Sequence, residues 1–204
     1  MIKLKCKMKV AVLLFDNFET LDVFGPVEIF GRLTEEYQVS FYSLSGGLIE
    51  NTHGVSILKK TLADIQNGVD IFLIPGGYGT RVEVNRVLLI DKIREISALS
   101  KYVLTVCTGI ALLAKTGLLD GRKATTNKRA FDWVATQGLN VNWVRRARWV
   151  VDDKYYTSSG VSAGMDMTLG FLQDMHGIGF ARNVAHTIEY TWQENKDEDD
   201  FCDQ

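Results

Sequence analysis

The chain has 204 residues, of which 46% are hydrophobic and 24% are charged, so it can bury one substantial core and requires no second domain. The formal net charge is −2, and because residues 194–204 carry −5, residues 1–193 carry about +3. We therefore predict a single domain over residues 1–193 and a solvated acidic tail over residues 194–204. This charge balance favours neither a nucleic-acid partner nor a membrane partner.

The first ten residues carry alternating lysines without the long apolar stretch of a secretory signal, and no apolar run reaches the length of a membrane span. These features predict a cytoplasmic protein. Cys6, Cys107 and Cys202 are far apart in the chain, which argues against a disulfide framework and against a structural zinc site. We expect no metal and no organic cofactor.

Apolar segments of strand length alternate along the chain with segments of helical periodicity. Pro26 is expected to kink the first helix or to restart it after Asp22. The alternation predicts a doubly wound α/β fold, in which ligands bind at the carboxyl ends of the strands. Strands are predicted at 9–15, 38–44, 70–74, 102–106, 140–144, 148–151 and 155–157, with a hairpin at 48–58 and a short strand within 118–126. Helices are predicted at 21–33, 85–99, 110–116, 128–136, 163–176 and 180–192.

The stretch YVLTVCTGIALLAKT, residues 102–116, reads as a strand, a tight turn and a helix with Cys107 at the apex. In such a nucleophile elbow the side chain projects from the end of the sheet, and the N–H groups of the following helix favour a thiolate. The alternative is that Cys107 is one more buried small residue. Thr105 also stands where a glycine often precedes such a nucleophile.

Two further loops follow predicted central strands, and one of them leads to Asp22. If the three strands are neighbours, all three loops converge on one crevice. In the other loop, the N–H groups of Gly76 and Gly77 could form an oxyanion hole with the N–H group of Thr108. Alternatively, the two glycines only form a tight turn.

Four stretches, FETLDVFGP, LIPGGYG, VLTVCTGIALLAKTGLLDGRKATT and SSGVSAGMD, resemble the ThiJ/PfpI superfamily of class I glutamine amidotransferase-like proteins. The resemblance covers most of residues 8–192 and is greatest to the isonitrile hydratase branch. It implies a flavodoxin-like sandwich with a mainly parallel sheet, and usually a homodimer. It also implies a nucleophilic cysteine beside an acid from the first helix, which are Cys107 and Asp22 in this chain.

The residues around the cysteine depart from the peptidase-like members of that superfamily. Those members place a histidine directly after the cysteine, where this chain has Thr108. His53, His176 and His186 do not occupy the position of the amidotransferase base, so we interpret each as a structural or surface residue. A peptidase or amidase is therefore less expected.

The chain also departs from the hydratase branch. There the paired threonines are followed by His-Trp, whereas here Thr126 is followed by Asn127, and Tyr78 replaces a smaller residue after the two glycines. Together with Gly76 and Gly77, these three residues are the predicted substrate or oxyanion contacts. The identity of the substrate stays open.

Three classes of function fit these residues. The first is an enzyme that adds water to a small electrophilic carbon, with attack by Cys107, proton transfer by Asp22, and charge held by Thr108 with Gly77. The second is a sensor domain like the amino-terminal half of AraC-type regulators. The third is a protective protein in which Cys107 is oxidised. For the enzyme we predict a resting thiolate beside a protonated Asp22 with a raised pKa.

Overall fold

The computed structural model describes residues 6–202 and contains one large, mainly parallel sheet flanked by helices. Two further short strands, β7 (Lys123–Ala124) and β8 (Asn142–Trp143), pair in parallel outside this sheet. The strands of the large sheet are β1 (Met8–Leu13), β2 (Tyr37–Ser43), β3 (Gly47–Glu50), β4 (Ser56–Thr61), β5 (Ile71–Ile74), β6 (Tyr102–Thr105), β9 (Trp149–Asp152) and β10 (Tyr155–Ser158).

The strand order is β3-β4-β2-β1-β5-β6-β10-β9, and only β3 and β9 at the two edges are antiparallel to their neighbours. Strands β1, β5 and β6 therefore lie side by side, with Val10 opposite Ile71 and Ile71 opposite Tyr102. All four residues of β5 are buried, as expected of a parallel strand covered on both faces. This order confirms the predicted doubly wound fold and places the three predicted loops at one edge.

The helices form two groups that pack on the sheet. In one group α1, α6 and α7 contact one another in sequence, and in the other α4 contacts α2, α3 and α5. Within residues 6–202, no helix combines the length and the apolar character that crossing a bilayer requires. The helices are α1 (Thr20–Gly31), α2 (Thr80–Glu83), α3 (Val87–Leu99), α4 (Ile110–Ala114), α5 (Phe131–Ala135), α6 (Ala163–His176) and α7 (Ile178–Thr187).

Helix α1 runs through Pro26 without interruption, so the predicted restart after Asp22 was wrong. A proline removes one N–H group, and the hydrogen bond lost here is the one that would reach the carbonyl of Asp22. Gly25 lies against α6, where an added Cβ atom would be 2.7 Å from Cγ of Met165. The close contact between these helices compensates for the missing bond.

Several predicted elements are shorter in the structure. The predicted strand at 140–144 is reduced to the two residues of β8, and the predicted helix at 128–136 forms only over α5. Helix α7 ends at Thr187 instead of Trp192. The chain turns there because it then passes over α6, where Trp192 Nε1 donates to the carbonyl oxygen of Asp166.

The acidic segment after the last helix is mostly exposed, but it is anchored to the domain by backbone hydrogen bonds and by one buried side chain. The carbonyl oxygen of Lys196 accepts hydrogen bonds from the N–H groups of Arg148 and Trp149, 2.8 and 3.2 Å away. The Asp199 side chain is fully buried and pairs with Arg148 at 3.3 Å and with Lys128 at 3.7 Å. The prediction of a solvated tail was therefore wrong for Asp199, whereas the acidic residues on either side of it are exposed.

Candidate active site

Cys107 lies at the turn between β6 and α4, in a short 3-10 segment that spans Cys107–Gly109. Its backbone φ is 55°, a left-handed value that a non-glycine residue adopts only under constraint. Gly109 makes the turn possible, because a Cβ atom there would be 2.4 Å from the carbonyl oxygens of Ile74 and Pro75. The predicted nucleophile elbow is present despite the bulkier Thr105 before it.

Hydrogen bonds from two other loops hold the elbow in this conformation. The Cys107 N–H group donates to the carbonyl oxygen of Ser159 at 3.0 Å. The Thr126 hydroxyl donates to the carbonyl oxygen of Cys107 at 2.8 Å, and Thr126 is fully buried. Thr126 was predicted to contact substrate, but the bond to the elbow gives it a positioning role.

Three donors near Cys107 lower the pKa of its thiol: the N–H groups of Thr108 and Val161 and the side-chain amide of Asn127. Asn127 is fixed by the Ala130 N–H group, which donates to its Oδ1 atom at 3.1 Å. The structure thus brings the predicted Thr108 and Asn127 together at the sulfur. Val161 has a φ of 39° and was missed, because a backbone donor leaves no side-chain signal in the sequence.

Asp22 is fully buried beside Cys107, and its Oδ2 atom accepts a hydrogen bond from the Gly76 N–H group at 2.9 Å. The pKa of Asp22 is raised to about 8, mainly by burial and also by the charge of Glu19, although the hydrogen bonds with Gly76 and Cys107 lower it. The predicted raised pKa is therefore confirmed. At neutral pH this carboxyl group carries a proton.

Burial also raises the pKa of the Cys107 thiol, and the charge of Asp22 raises it further. The three donors around the sulfur lower it without reversing the direction. The prediction of a resting thiolate was therefore wrong, because the cost of burying a second charge exceeds what these donors supply. In the free protein the thiol and the carboxyl group are both protonated near neutral pH, and they titrate as a coupled pair.

The two loop glycines do not form the predicted oxyanion hole. The Gly76 N–H group is bound to Asp22, and the Gly77 N–H group donates to the Thr108 hydroxyl at 3.1 Å. A Cβ atom on Gly76 would be 2.6 Å from the Thr108 nitrogen, so the glycine allows the loop to approach the elbow. The available donors are instead those of Thr108, Val161 and Asn127.

Cys107 is 7% exposed, and it lines a cavity of about 320 Å³. Cys107 is therefore largely buried, and its position at the wall of this cavity favours a functional role over a purely structural one. Tyr78 is at the same cavity, as predicted, and a second cavity of about 220 Å³ adjoins it. Among the residues that line the first cavity are Glu19, Gly77, Tyr78, Arg81, Asn127, Arg129 and Val161.

The buried ion pairs of Asp199 connect the acidic segment to the residues around the sulfur. Lys128 directly follows Asn127, and the Arg148 guanidinium donates to the hydroxyl of Ser162, which directly follows Val161, at 3.3 Å. Phe201 lines the second cavity. Residues 196–201 therefore support two of the three loops that supply donors to Cys107.

None of the side chains described around Cys107 is a histidine. His53, between strands β3 and β4, hydrogen-bonds Thr20 at the start of α1. His176, at the end of α6, hydrogen-bonds the Tyr37 hydroxyl at the start of β2. Over residues 6–202, no group of three or more His, Cys, Asp and Glu side chains is placed to hold a metal ion. The groups that the structure places together at this site are the Cys107 thiol, the Asp22 carboxyl group and hydrogen-bond donors.

A mainly parallel α/β sheet with a strained cysteine at a strand–helix turn defines a protein of the cysteine-elbow α/β class. Residues 8–174 match the DJ-1/PfpI family. The chain therefore belongs to the DJ-1/PfpI family, and the predicted superfamily and flavodoxin-like fold are confirmed.

The chain is 29% identical to an isonitrile hydratase from Pseudomonas putida, over 90% of this chain and 78% of the hydratase. It is 27% identical to the HTH-type transcriptional regulator GbdR from Pseudomonas aeruginosa, over 89% of this chain but only 50% of the regulator. A ThiJ/PfpI family protein of known structure from Pseudomonas syringae has a TM-score of 0.83 at 25% identity, over 92% of this chain and 76% of that one. Relatives of this chain thus include both an enzyme and a regulator.

Proposed function

We propose that the protein is a cysteine-dependent enzyme that adds water to a small electrophilic carbon, as an isonitrile hydratase does. The observation that carries the proposal is the pairing of Cys107, at the wall of a cavity, with an Asp22 carboxyl group that is protonated near neutral pH. A nucleophile and an acid are both needed for this addition. The likeness to the Pseudomonas putida isonitrile hydratase supports the substrate class.

In the proposed reaction the Cys107 sulfur forms a bond to the terminal carbon of the isonitrile. Asp22 donates its proton to that carbon and takes the thiol proton, which gives a thioimidate. Water then adds to the same carbon and a proton passes to the nitrogen. The carbon–sulfur bond breaks and the thiol is restored, so that the product is the N-substituted formamide. The N–H groups of Thr108 and Val161 stabilise negative charge that develops at the sulfur.

The test is formation of formamide from an alkyl isonitrile, measured by nuclear magnetic resonance of the formyl proton. Cys107→Ser should abolish turnover, because an alcohol at this position lacks the nucleophilicity of the thiol. Asp22→Asn should lower kcat by roughly 10²- to 10⁴-fold, the usual contribution of a general acid–base. Cys202→Ser, a thiol variant outside the site, is the control and should retain full activity.

Turnover by Cys107→Ser, or no turnover by the wild-type protein on isonitriles, aldehydes and activated carbonyl compounds, would contradict the proposed function. Release of labelled peptides from casein that depends on Cys107 would instead indicate a peptidase. We regard that activity as less well supported, because Thr108 stands where the peptidase-like histidine would be.

A second candidate function is a ligand-binding sensor, and it is favoured by the likeness to the regulator GbdR. Under this hypothesis the cavity beside Cys107 binds a small molecule without converting it. Saturable binding without turnover would support the sensor. Conversion of Cys107 to a sulfenic or sulfinic acid by mild peroxide, seen by mass spectrometry, would support the redox-protective alternative.

A further inference from the structure

The cavity beside Cys107 is lined by two arginine side chains that the proposed reaction does not use. Arg81 follows the glycine-rich loop, and Arg129 follows Asn127. Each guanidinium carries five N–H donors in a planar fork that fits a carboxylate. Glu19 is the acidic residue of the same lining, so the charges of the three side chains sum to +1.

The Arg81 guanidinium is held by two aromatic rings, and most of its N–H donors are free to bind a ligand. Its guanidinium carbon lies 4.3 Å from the centre of the Trp133 ring and 5.7 Å from the centre of the Tyr78 ring. Its hydrogen bonds, to the Gly77 carbonyl and the Thr80 hydroxyl, measure 3.5 and 3.4 Å and are therefore weak. Stacking between rings fixes the plane of the guanidinium while leaving most of its N–H groups free for a ligand.

Arg129 makes no hydrogen bond and no ion pair within residues 6–202. It lines both the cavity of Cys107 and the adjoining cavity that Phe201 also lines. An arginine without a partner beside a nucleophile has its full charge available to an incoming anion. The second cavity offers room for an apolar part of the same molecule, because its lining is the more apolar of the two.

We propose that Arg81 and Arg129 bind a carboxylate group of the substrate while Cys107 attacks the electrophilic carbon of the same molecule. This inference rests on the proposed function and narrows its substrate class to small carboxylate-bearing electrophiles. Its physical basis is the bidentate geometry of guanidinium and carboxylate in a partly enclosed cavity. The volume of about 320 Å³ suits a molecule of a few carbon atoms.

Alkylation of Cys107 tests this proposal without any turnover. Iodoacetate and iodoacetamide have nearly the same size and the same leaving group, but only iodoacetate carries a carboxylate. In either reaction a sulfur–carbon bond forms, the carbon–iodine bond breaks, iodide leaves, and the thiol proton passes to solvent. A background with Cys6→Ser and Cys202→Ser restricts the reaction to Cys107.

The measured quantity is the ratio of the iodoacetate rate constant to the iodoacetamide rate constant. Arg81→Gln and Arg129→Gln should each lower this ratio about threefold to fivefold, the effect of one partly exposed charge. Glu19→Gln should raise the ratio by a similar factor. Arg32→Gln is the matched control, because Arg32 is paired with Glu28 outside the cavity, and it should leave the ratio unchanged.

A ratio that changes less than twofold in the Arg81→Gln, Arg129→Gln double variant would overturn the proposal. An equal fall in Arg32→Gln would overturn it too, because net charge rather than the cavity would then be responsible. Alkylation of Cys107 by iodoacetamide but not by iodoacetate would overturn it as well, because the cavity would then exclude a two-carbon carboxylate. If the ratio behaves as expected but no isonitrile or carbonyl compound turns over, the carboxylate site stands and the proposed reaction falls.

Discussion

Asp22 and Cys107 form a buried pair in which burial raises the pKa of both groups, and the charge of Asp22 raises the pKa of the Cys107 thiol further. Such a pair keeps both protons until the pH is high enough to ionise one member, and the second ionisation is then suppressed. A reaction that adds S–H across a carbon benefits from this state, because the nucleophile and the proton donor are ready together. The pair is also costly to ionise when the site is empty.

We predict that this cost is visible in the pH dependence of stability. The pKa of Asp22 rises from 3.8 to about 8 on folding, so the unfolded chain releases the proton first. The contribution of Asp22 to the free energy of unfolding is therefore fully present below about pH 4 and is lost as the pH rises towards 8. The loss is at most about 1.4 kcal/mol per pH unit. Asp22→Asn cannot titrate and lacks this contribution.

The measurement is urea denaturation of both proteins between pH 4 and 8. The free energy of unfolding of the wild type minus that of Asp22→Asn should fall steadily across this range. Parallel pH profiles for the two proteins would mean that the carboxyl group is not protonated in the folded state. Asp197→Asn, an exposed acid in the acidic segment, provides the control for an ordinary carboxylate.

At the residue scale the sequence predicts groups whose side chains carry the chemistry. Cys107 and Asp22 follow from the elbow pattern and the family resemblance, and the structure places them together. Val161 could not be found, because it contributes a backbone N–H group that depends on a left-handed φ of 39°. The sequence predicts that the Gly76 N–H group faces an oxyanion of the substrate, whereas in the folded structure this group donates to Asp22.

At the scale of elements, the acidic segment after α7 connects distant parts of the domain. Asp199 is the anion between Arg148 and Lys128. Arg148 precedes β9 and donates to the Ser162 hydroxyl beside Val161, and Lys128 directly follows Asn127. Removing one member of a buried ion-pair network leaves the others desolvated and unpaired. Asp199 is thus buried in the folded domain, although the acidic residues on either side of it are exposed.

We predict that Asp199→Ala lowers the free energy of unfolding by about 3 kcal/mol, the usual cost of breaking a buried pair. Asp197→Ala is matched to it two positions earlier, where the aspartate is exposed and pairs with Lys196, and it should cost less than about 1 kcal/mol. Urea denaturation at pH 7 measures both values. Equal effects of the two substitutions would show that the burial of Asp199 contributes nothing.

The strands of the sheet and the long helices can be predicted from local sequence patterns, whereas the burial of Asp199 in the acidic segment cannot. The run of buried residues in β1 and the helical repeat of α3 are encoded within the segment itself. The role of Asp199 depends on Arg148, which is 51 residues away, and composition alone gives the opposite answer. The shortening of α7 has the same origin, since its end is set by contacts with α6.

At the scale of the whole molecule, we propose that the protein is a homodimer, a proposal that the family resemblance supports. A cytoplasmic location also stays a prediction. We expect multi-angle light scattering at micromolar concentration to give about twice the chain mass of 22.9 kDa. A value near the single-chain mass over that concentration range would contradict the proposal.

The convergence of three loops on one crevice could be predicted because parallel strands end at the same edge of a sheet. The order β1-β5-β6 made that prediction correct, with β10 adding the loop that holds Val161. The charges around the cavity could not be predicted, because Arg81 and Arg129 lie 48 positions apart and meet only in the folded chain.

The stacking of Arg81 on Trp133 means that the molecule carries its own optical probe one side chain away from the cavity of Cys107. The emission of an indole ring depends on the charge and the water next to it, so a ligand that draws the guanidinium away from Trp133 should change the fluorescence. None of the four tryptophans is among the residues that line this cavity, and Trp133 reports on it through Arg81, which does line it. We therefore expect that tryptophan fluorescence reports binding in the cavity in real time, without a label on the protein.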